Sequence, residues 1–140
     1  MGLFENVKNY VTGGAADVNV LISNPVMTEG ESLKLAITVR PTGDTIHIKR
    51  IYLQVRAQEM SSVTHILYDQ EYTIDEEIQI NAGDEREWTF EVELPTEVPA
   101  TYIGRHFRMH WAVKAGLEMS GVDPNSGWQP FVLNKTMHYS

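Results

Sequence analysis

The chain has 140 residues, of which 42% are hydrophobic and 21% charged, a net charge of −8 and no cysteine. This is the composition of one globular domain and not of a disordered chain. The negative charge argues against non-specific binding to nucleic acid and also against docking on an anionic membrane, so we expect neither as a partner. The lack of cysteine excludes disulfides, cysteine-ligated zinc and thiol catalysis. No apolar run approaches 18 residues and no export leader is visible, so we expect a cytoplasmic protein without a transmembrane helix.

Residues 3–11 predict a short amphipathic helix, followed by a glycine pair that ends it. Its apolar stripe consists of Leu3, Phe4, Val7, Tyr10 and Val11. The predicted organisation is therefore a helix and glycine linker over 1–14 and a single domain over 15–140. A helix this short is marginal alone, so we expect the stripe to dock on its own domain or on a second copy. A membrane foot is the alternative, but Lys8 is the only basic residue of the helix.

From Asp17 onward, apolar and polar residues alternate as in strands with one buried face. Strands are predicted around 18–22, 33–39, 46–57, 66–74 and 78–80, with turns rich in Gly, Pro, Asn and Asp between them. The parity of the apolar residues changes between Ile48 and Ile51, which predicts a β-bulge.

The stretch from Trp88 to Leu117 predicts a strand, a corner and a second strand. Apolar residues alternate with carboxylates in the first strand, whose apolar members are Trp88, Phe90, Val92 and Leu94. One long return strand is predicted to place these residues on its apolar face: Ile103, Phe107, Met109, Trp111, Val113, Ala115 and Leu117. Pro95 and Pro99 withhold backbone donors, so the connection should cross to a second sheet rather than form a tight hairpin.

A loop over 121–127 and a last strand over 128–133 bring the total to seven or eight strands without an internal repeat. Strands at this spacing are typical of a two-sheet antiparallel sandwich of immunoglobulin-like type. In such folds a tyrosine just before a return strand often bonds back to the backbone of the corner, and Tyr102 occupies that place.

The corner also carries a resemblance to a known family. Its residues are Glu93, Leu94, Pro95, Pro99, Ala100, Tyr102, Gly104, Trp111, Val113, Lys114 and Ala115. In this order they resemble the N-terminal domain of arrestins and the wider arrestin clan. The opening segment is similar to the start of bacterial sporulation-control proteins of that clan. The resemblance implies an arrestin-like β-sandwich whose structural motif is Pro95, Pro99, Tyr102, Gly104 and Trp111.

No motif for catalysis or cofactor binding is visible in the sequence. A nucleophile elbow, a phosphate-binding glycine loop and a nucleotide fingerprint are all missing. His106 and His110 are about 13 Å apart in an extended strand, too far to ligate one metal ion. A composite site from the three other histidines stays open. We therefore predict neither enzyme activity nor a cofactor or metal.

The three tryptophans raise a second function, because aromatic rings can stack on sugars. Trp88, Trp111 and Trp128 would have to form one exposed platform in a carbohydrate-binding or other ligand-binding module. Trp88 and Trp111 both have the apolar parity of their strands, which favours a core position.

The resemblance implies a non-catalytic protein-binding scaffold or regulatory adaptor, which binds partners through sheet faces or edge strands. The chain has about half the length of an arrestin, so we do not expect the second domain or the phosphate-sensing polar core of arrestins. Self-association is left open.

Charge is distributed unevenly along the sequence. Residues 69–97 contain 11 acidic residues and one basic residue, Arg86, a net charge of −10. If the corner crosses between sheets, Glu87, Glu91 and Glu93 should line the outside of one sheet and basic residues the outside of the other. The predicted partner-binding residues on the basic face are His106, Arg108, His110 and Lys114. An ordinary solvated surface is the alternative.

Overall fold

The structure is a computed structural model and describes residues 15–95, 97 and 99–135. All regular secondary structure in this part is β-strand. The strands are β1 (Ala16–Ile22), β2 (Val26–Thr28), β3 (Ser32–Pro41), β4 (Ile46–Met60), β5 (Thr64–Ile80), β6 (Arg86–Glu93), β7 (Tyr102–Ile103), β8 (Arg108–Glu118) and β9 (Gln129–Asn134). The predicted N-terminal helix and linker, with the stripe from Leu3 to Val11, lie outside the described residues, as does His138.

The strands form two sheets, as the alternating pattern predicts. The smaller sheet has the order β1-β3-β6 and is antiparallel throughout. The larger sheet has the order β2-β9-β8-β4-β5, with β7 also paired to β8. Its pairs are antiparallel except β2 and β9, which run parallel. The predicted all-β two-sheet sandwich is confirmed.

The core lies between the two sheets and is built from alternate residues of each strand. β3 contributes Leu33, Leu35, Ile37 and Val39, all buried, while its intervening side chains face outward. β8 contributes every second residue from Met109 to Leu117 in the same way. Because apolar residues occupy every second position of a strand, each sheet has one apolar face. Burial of these two faces against each other drives the packing of the sheets.

β4 and β5 form one long hairpin, and β5 is a single strand where the sequence predicted two, at 66–74 and 78–80. The short strand predicted at 78–80 is the end of β5, which runs without a break from Thr64. Burial along β4 changes parity between Lys49 and Arg50, as predicted. Opposite this point Glu77 has a left-handed φ of 52°. The shifts in register come later, between Ile51 and Tyr52 and between Ala57 and Gln58.

The proline corner carries the chain from one sheet to the other, which confirms the predicted crossing. β6 ends in the smaller sheet, and β7 and β8 belong to the larger one. The corner is attached to the core by the indole of Trp111, whose Nε1 donates a hydrogen bond of 2.8 Å to the carbonyl of Pro99. The backbone N–H of Thr101 adds a bond of 2.9 Å to the carbonyl of Leu133 in β9.

Two predictions about the corner are wrong. The return strand is not continuous from Ile103, because the N–H of Gly104 bonds to the carbonyl of Phe107 and closes a turn before β8 begins. Ile103 and Phe107 are therefore exposed instead of lying on the buried face. Tyr102 is also exposed, and its ring stacks on Phe107 with centroids 4.9 Å apart. The side-chain bond back to the corner comes from Trp111 and not from the Tyr102 phenol.

Gly104 fits this turn for a steric reason. A Cβ at position 104 would lie 2.3 Å from the Tyr102 ring and 2.8 Å from the carbonyl oxygen of Phe107. Only a residue without a side chain allows the ring of Tyr102 to fold over the turn and reach Phe107.

The raised pKa of the Tyr68 hydroxyl should make the fold less stable at alkaline pH. The Tyr68 ring packs on Trp111, with centroids 5.3 Å apart. Burial, and then the hydrogen bond with Tyr72, raise the pKa of Tyr68 to about 12. An unfolded tyrosine titrates near pH 10. As pH rises from about 10 to about 12, the unfolded chain releases this proton while the folded chain keeps it, so stability falls.

Urea unfolding from about pH 8 to about pH 12 tests this linkage. We expect the free energy of unfolding of the wild-type protein to fall above about pH 10, and that of Tyr68→Phe to fall less. A variant whose stability declines as steeply as that of wild type would contradict the assignment.

Candidate functional site

The outer face of the larger sheet carries charged side chains, which the apolar core excludes. Arg50 and Arg56 alternate on β4 with buried residues and therefore point away from the core. Arg50 pairs with Glu118 of β8 and, at 2.7 Å, with Glu71 of β5. These two hydrogen bonds raise the pKa of Arg50. Arg56 pairs with Asp69 at 3.0 Å. Arg50 and Arg56 are thus neutralised by carboxylates of their own sheet.

The cations of β8 differ from Arg50 and Arg56 of β4. Arg108 opens the strand and is exposed, and Lys114 lies further along the same outer face. Neither makes an ion pair with a carboxylate among residues 15–95, 97 and 99–135. His110 lies between them and its Nε2 contacts the sulfur of Met60 at 2.9 Å. The outer face of β8 therefore carries positive charge that the described part of the fold does not neutralise.

Between these strands lies a small cavity, here called the Trp128 pocket. It encloses about 240 Å³ and is lined by Arg56, Gln58, Met60, His110, Ala112 and Trp128. Ala112 lies opposite Arg56 in the β4–β8 register, so the floor of the pocket is a methyl group where a longer side chain would fill the space. The volume is below the ordinary range for small-molecule sites and suits a single side chain.

The indole of Trp128 covers the pocket and has two cations over it. The Arg56 guanidinium carbon is 4.8 Å and the Lys114 amine 5.0 Å from the ring centroid. Such contacts stabilise by about 0.5–1 kcal/mol at exposed sites. Arg56 Nε is buried and has no hydrogen-bond partner in the described part of the chain. One buried donor of the pocket wall is therefore unsatisfied.

Trp128 is held in place by a buried serine two residues earlier. Ser126 is 4% exposed and accepts a hydrogen bond of 3.0 Å from the N–H of Ala115 at its Oγ. The same hydroxyl donates to the carbonyl of Gly127 at 2.7 Å, and the Ser126 N–H donates to the carbonyl of Ala115. These hydrogen bonds attach the loop after β8 to β8 itself and so fix the position of the Trp128 indole.

The four predicted partner-binding residues do not all lie on one strand face. Arg108, His110 and Lys114 share the outer face of β8 as predicted, and two of them border or line the Trp128 pocket. His106 precedes the strand and is exposed in the turn after Gly104. Their role in binding stays a prediction.

The predicted separation of charge between the sheets is only half right. Glu87, Glu91 and Glu93 are exposed on β6 of the smaller sheet, as expected. The carboxylates of β5, however, lie in the same sheet as the basic residues and pair with Arg50 and Arg56. The error arose because β5 returns beside β4 before the chain crosses to the other sheet.

The three tryptophans are dispersed. Trp111 is fully buried in the core, and Trp88 is half-buried on the smaller sheet with its Nε1 bonded to Asp75 at 3.0 Å. Trp128 alone is exposed, one residue before the strand that was predicted to include it. No common stacking platform results from these positions.

Within the described part of the chain, no group of three or more His, Asp or Glu side chains is placed to hold a metal ion. The same residues contain no helix long and apolar enough to cross a membrane.

Comparison with known proteins assigns the family. A family model described as SpoOM protein matches residues 4–126. The crystal structure of Spo0M, sporulation control protein, from Bacillus subtilis superposes with a TM-score of 0.71 at 19% sequence identity. The similarity covers 86% of this chain and 50% of that one, so the chain spans about half the length of this relative. None of the curated proteins matches the sequence. The resemblance seen at the corner and the opening segment is confirmed, and the chain belongs to the Spo0M family.

Proposed function

We propose that this chain is a non-catalytic regulatory module of the cytoplasm that binds an extended, acidic segment of a partner protein on the outer face of its larger sheet. The segment lies along β8, with carboxylates near Arg108 and Lys114 and one apolar side chain in the Trp128 pocket. Family membership supports a regulatory role, since the solved relative is a sporulation control protein.

The proposal rests on one observation. Cations of β8 that make no ion pair in the described part of the chain lie beside an unfilled apolar pocket. A cation exposed on a surface is usually only solvated, and an isolated pocket is often only a packing defect. Here the pocket wall includes Arg56, whose Nε lacks a partner, and its cover is flanked by Lys114. A carboxylate of the segment would pair with Lys114 while an apolar side chain fills the cavity.

An acidic partner fits this face better than a sugar does. A sugar ring would need the open face of an aromatic side chain, and Arg56 and Lys114 already lie over the Trp128 ring. Binding of another copy is the second candidate, because β6 presents Glu87, Glu91 and Glu93 on an outer face of opposite charge. Electrostatic complementarity of this kind raises association rates more than affinity.

The test uses a display library of random linear peptides, selected on the wild-type protein. We expect the selected peptides to be rich in Asp and Glu around one Leu, Met or Phe. Ala112→Leu fills the pocket from an outer-face position and leaves the core unchanged. Since burying one such side chain contributes about 1.5–3 kcal/mol, this variant should weaken peptide binding by about 10- to 150-fold.

Lys114→Glu should also weaken binding, and the loss should diminish as added salt shortens the screening length. Lys34→Glu on the outer face of the smaller sheet is the matched charge control. Peptides without acidic bias, or peptides that bind Ala112→Leu as tightly as wild type, would refute the proposal. Light scattering of the wild-type protein at low and high salt distinguishes self-association from binding to another protein.

A further inference from the structure

Exposed apolar side chains are concentrated at one end of the larger sheet. Of nine large hydrophobic residues exposed in the described part of the chain, six lie on the β4–β5 turn, the start of β5 and the segment from β7 to β8. We call this group the apolar tip, and its members are Val63, Ile66, Leu67, Tyr102, Ile103 and Phe107.

The strand register brings the two halves of the apolar tip together. Met60 at the end of β4 faces Thr64 on one side and Arg108 on the other, and Arg108 in turn faces Ile103. Adjacent strands are about 4.8 Å apart, so the start of β5 and β7 are about 15 Å from each other. In the sequence these segments are some 40 residues apart, and only the pairing of β4 with β8 makes them one surface.

The charge around the apolar tip has the opposite sign to that of the chain. Residues 60–68 and 98–117 contain no Asp or Glu, although the net charge of the whole chain is −8. Arg105 and Arg108 are exposed beside the apolar tip and make no ion pair with any described carboxylate. His65 and His106 are exposed there too, and the nearest acidic residue of β4, Glu59, is half-buried.

This combination identifies the chemistry of the partner. The apolar residues sit on turns and at the end of a sheet, and their side chains are exposed. Two stacked aromatic rings, one of them with a phenol, stand beside aliphatic side chains and free arginines. Aromatic rings and arginines are enriched where a protein meets the boundary between lipid headgroups and acyl chains. An exposed apolar patch with such a rim marks an interaction site.

We propose that the apolar tip is a peripheral contact with an anionic lipid bilayer. Ile103, Val63 and their neighbours enter the headgroup region, and Arg105 and Arg108 bind lipid phosphates. The apolar tip contains no residue that lines the Trp128 pocket. It shares only the neighbouring Arg108 with the proposed peptide site, so the lipid contact does not depend on the proposed peptide binding. A module that uses both would hold an acidic segment next to a membrane surface.

The first experiment is co-sedimentation of the full chain with vesicles. We expect binding to vesicles of equal parts phosphatidylcholine and phosphatidylglycerol, and little binding to phosphatidylcholine alone. Val63→Asp with Ile103→Asp should reduce the bound fraction about tenfold or more, because two apolar side chains are lost from the interface. Arg105→Glu with Arg108→Glu should reduce it as well. Leu21→Asp, an exposed apolar position on the other sheet, is the matched control and should bind as wild type does.

A second measurement locates the contact. The chain has no cysteine, so Ile103→Cys accepts one environment-sensitive dye at a unique position. Its emission should shift to the blue when the phosphatidylglycerol vesicles are added, and the dye on Leu21→Cys should not respond. Because all these positions are exposed, the variants should keep the wild-type melting temperature.

Sedimentation that does not depend on phosphatidylglycerol, or a dye at position 103 that does not respond, would overturn the proposal. The same holds if the Asp variants abolish a dimer seen by light scattering and the wild type binds no vesicles, since the apolar tip would then be an interface between copies. Ala112→Leu and Lys114→Glu should leave vesicle binding unchanged, which separates this result from the test of peptide binding.

Discussion

Trp111→Ala is expected to lower the free energy of unfolding by about 3–5 kcal/mol, the largest effect of any single substitution considered for this fold. The indole is fully buried and packs against Tyr68 and Phe131, with centroids 5.3 Å and 5.7 Å away. Truncation leaves a cavity in the sandwich and also removes the hydrogen bond to the carbonyl of Pro99. Urea unfolding followed by circular dichroism measures the loss.

Trp111→Phe separates the two contributions. Phenylalanine keeps an aromatic ring in the core but cannot donate a hydrogen bond to the carbonyl of Pro99. The corner between the sheets should therefore loosen, while the free energy of unfolding should fall by less than it does in the alanine variant. Trp128→Ala is the matched control, because that indole lies outside the core and its removal should cost about 1 kcal/mol or less. Equal losses for Trp111→Ala and Trp128→Ala would contradict the assigned role of Trp111.

Ser126→Ala is expected to lower the free energy of unfolding by about 1–3 kcal/mol, a large effect for the loss of one hydroxyl. The buried N–H of Ala115 and the carbonyl of Gly127 would both lose their partner. Since this serine fixes the loop that delivers Trp128, the indole should become more exposed to water. Its fluorescence, obtained as the difference between proteins with and without Trp128→Phe, should shift to the red.

Ser120→Ala is the matched control for this prediction. Ser120 is exposed in the same loop, and its replacement should change stability by no more than about 0.5 kcal/mol. If Ser126→Ala left both stability and the fluorescence of Trp128 unchanged, the loop would have to be held by contacts other than this hydroxyl.

The two sheets and the crossing between them were predictable because both follow from local rules. A period of two fixes which residues face the core, as seen for Leu33 to Val39, and two prolines prevent a tight hairpin between β6 and β8. The interruption at Gly104 was not predictable in the same way. The residues from Ile103 to Leu117 keep the parity of one strand, and only the stacking of Tyr102 on Phe107 and the bond between Gly104 and Phe107 close the turn.

The residues that β8 contributes to the candidate site were predictable, whereas the position of Trp128 was not. The alternation along β8 placed Arg108, His110 and Lys114 on its outer face, and the same rule applied to β4 would have added Arg56. The position of Trp128 could not be derived, because it depends on a loop whose path is set by the hydrogen bonds of Ser126. The sign of the charge on each sheet also required knowing which strands are neighbours, information that a pattern within one strand does not contain.

The acidic residues of β5 have a consequence for the behaviour of the protein at high concentration. Among the described strands β5 pairs only with β4, so its other edge presents backbone donors and acceptors along 17 residues. An edge of that length is a template for pairing with the same edge of another molecule. Asp75, Glu76 and Glu77 lie on this strand without an ion pair in the described part of the chain, and Glu77 has a left-handed φ. Mutual repulsion between two such edges should oppose their pairing, whereas residues 64–68 at the start of β5 carry no carboxylate. The acidity of β5 is in this sense a barrier to edge-to-edge pairing, located on the strand whose free edge invites it.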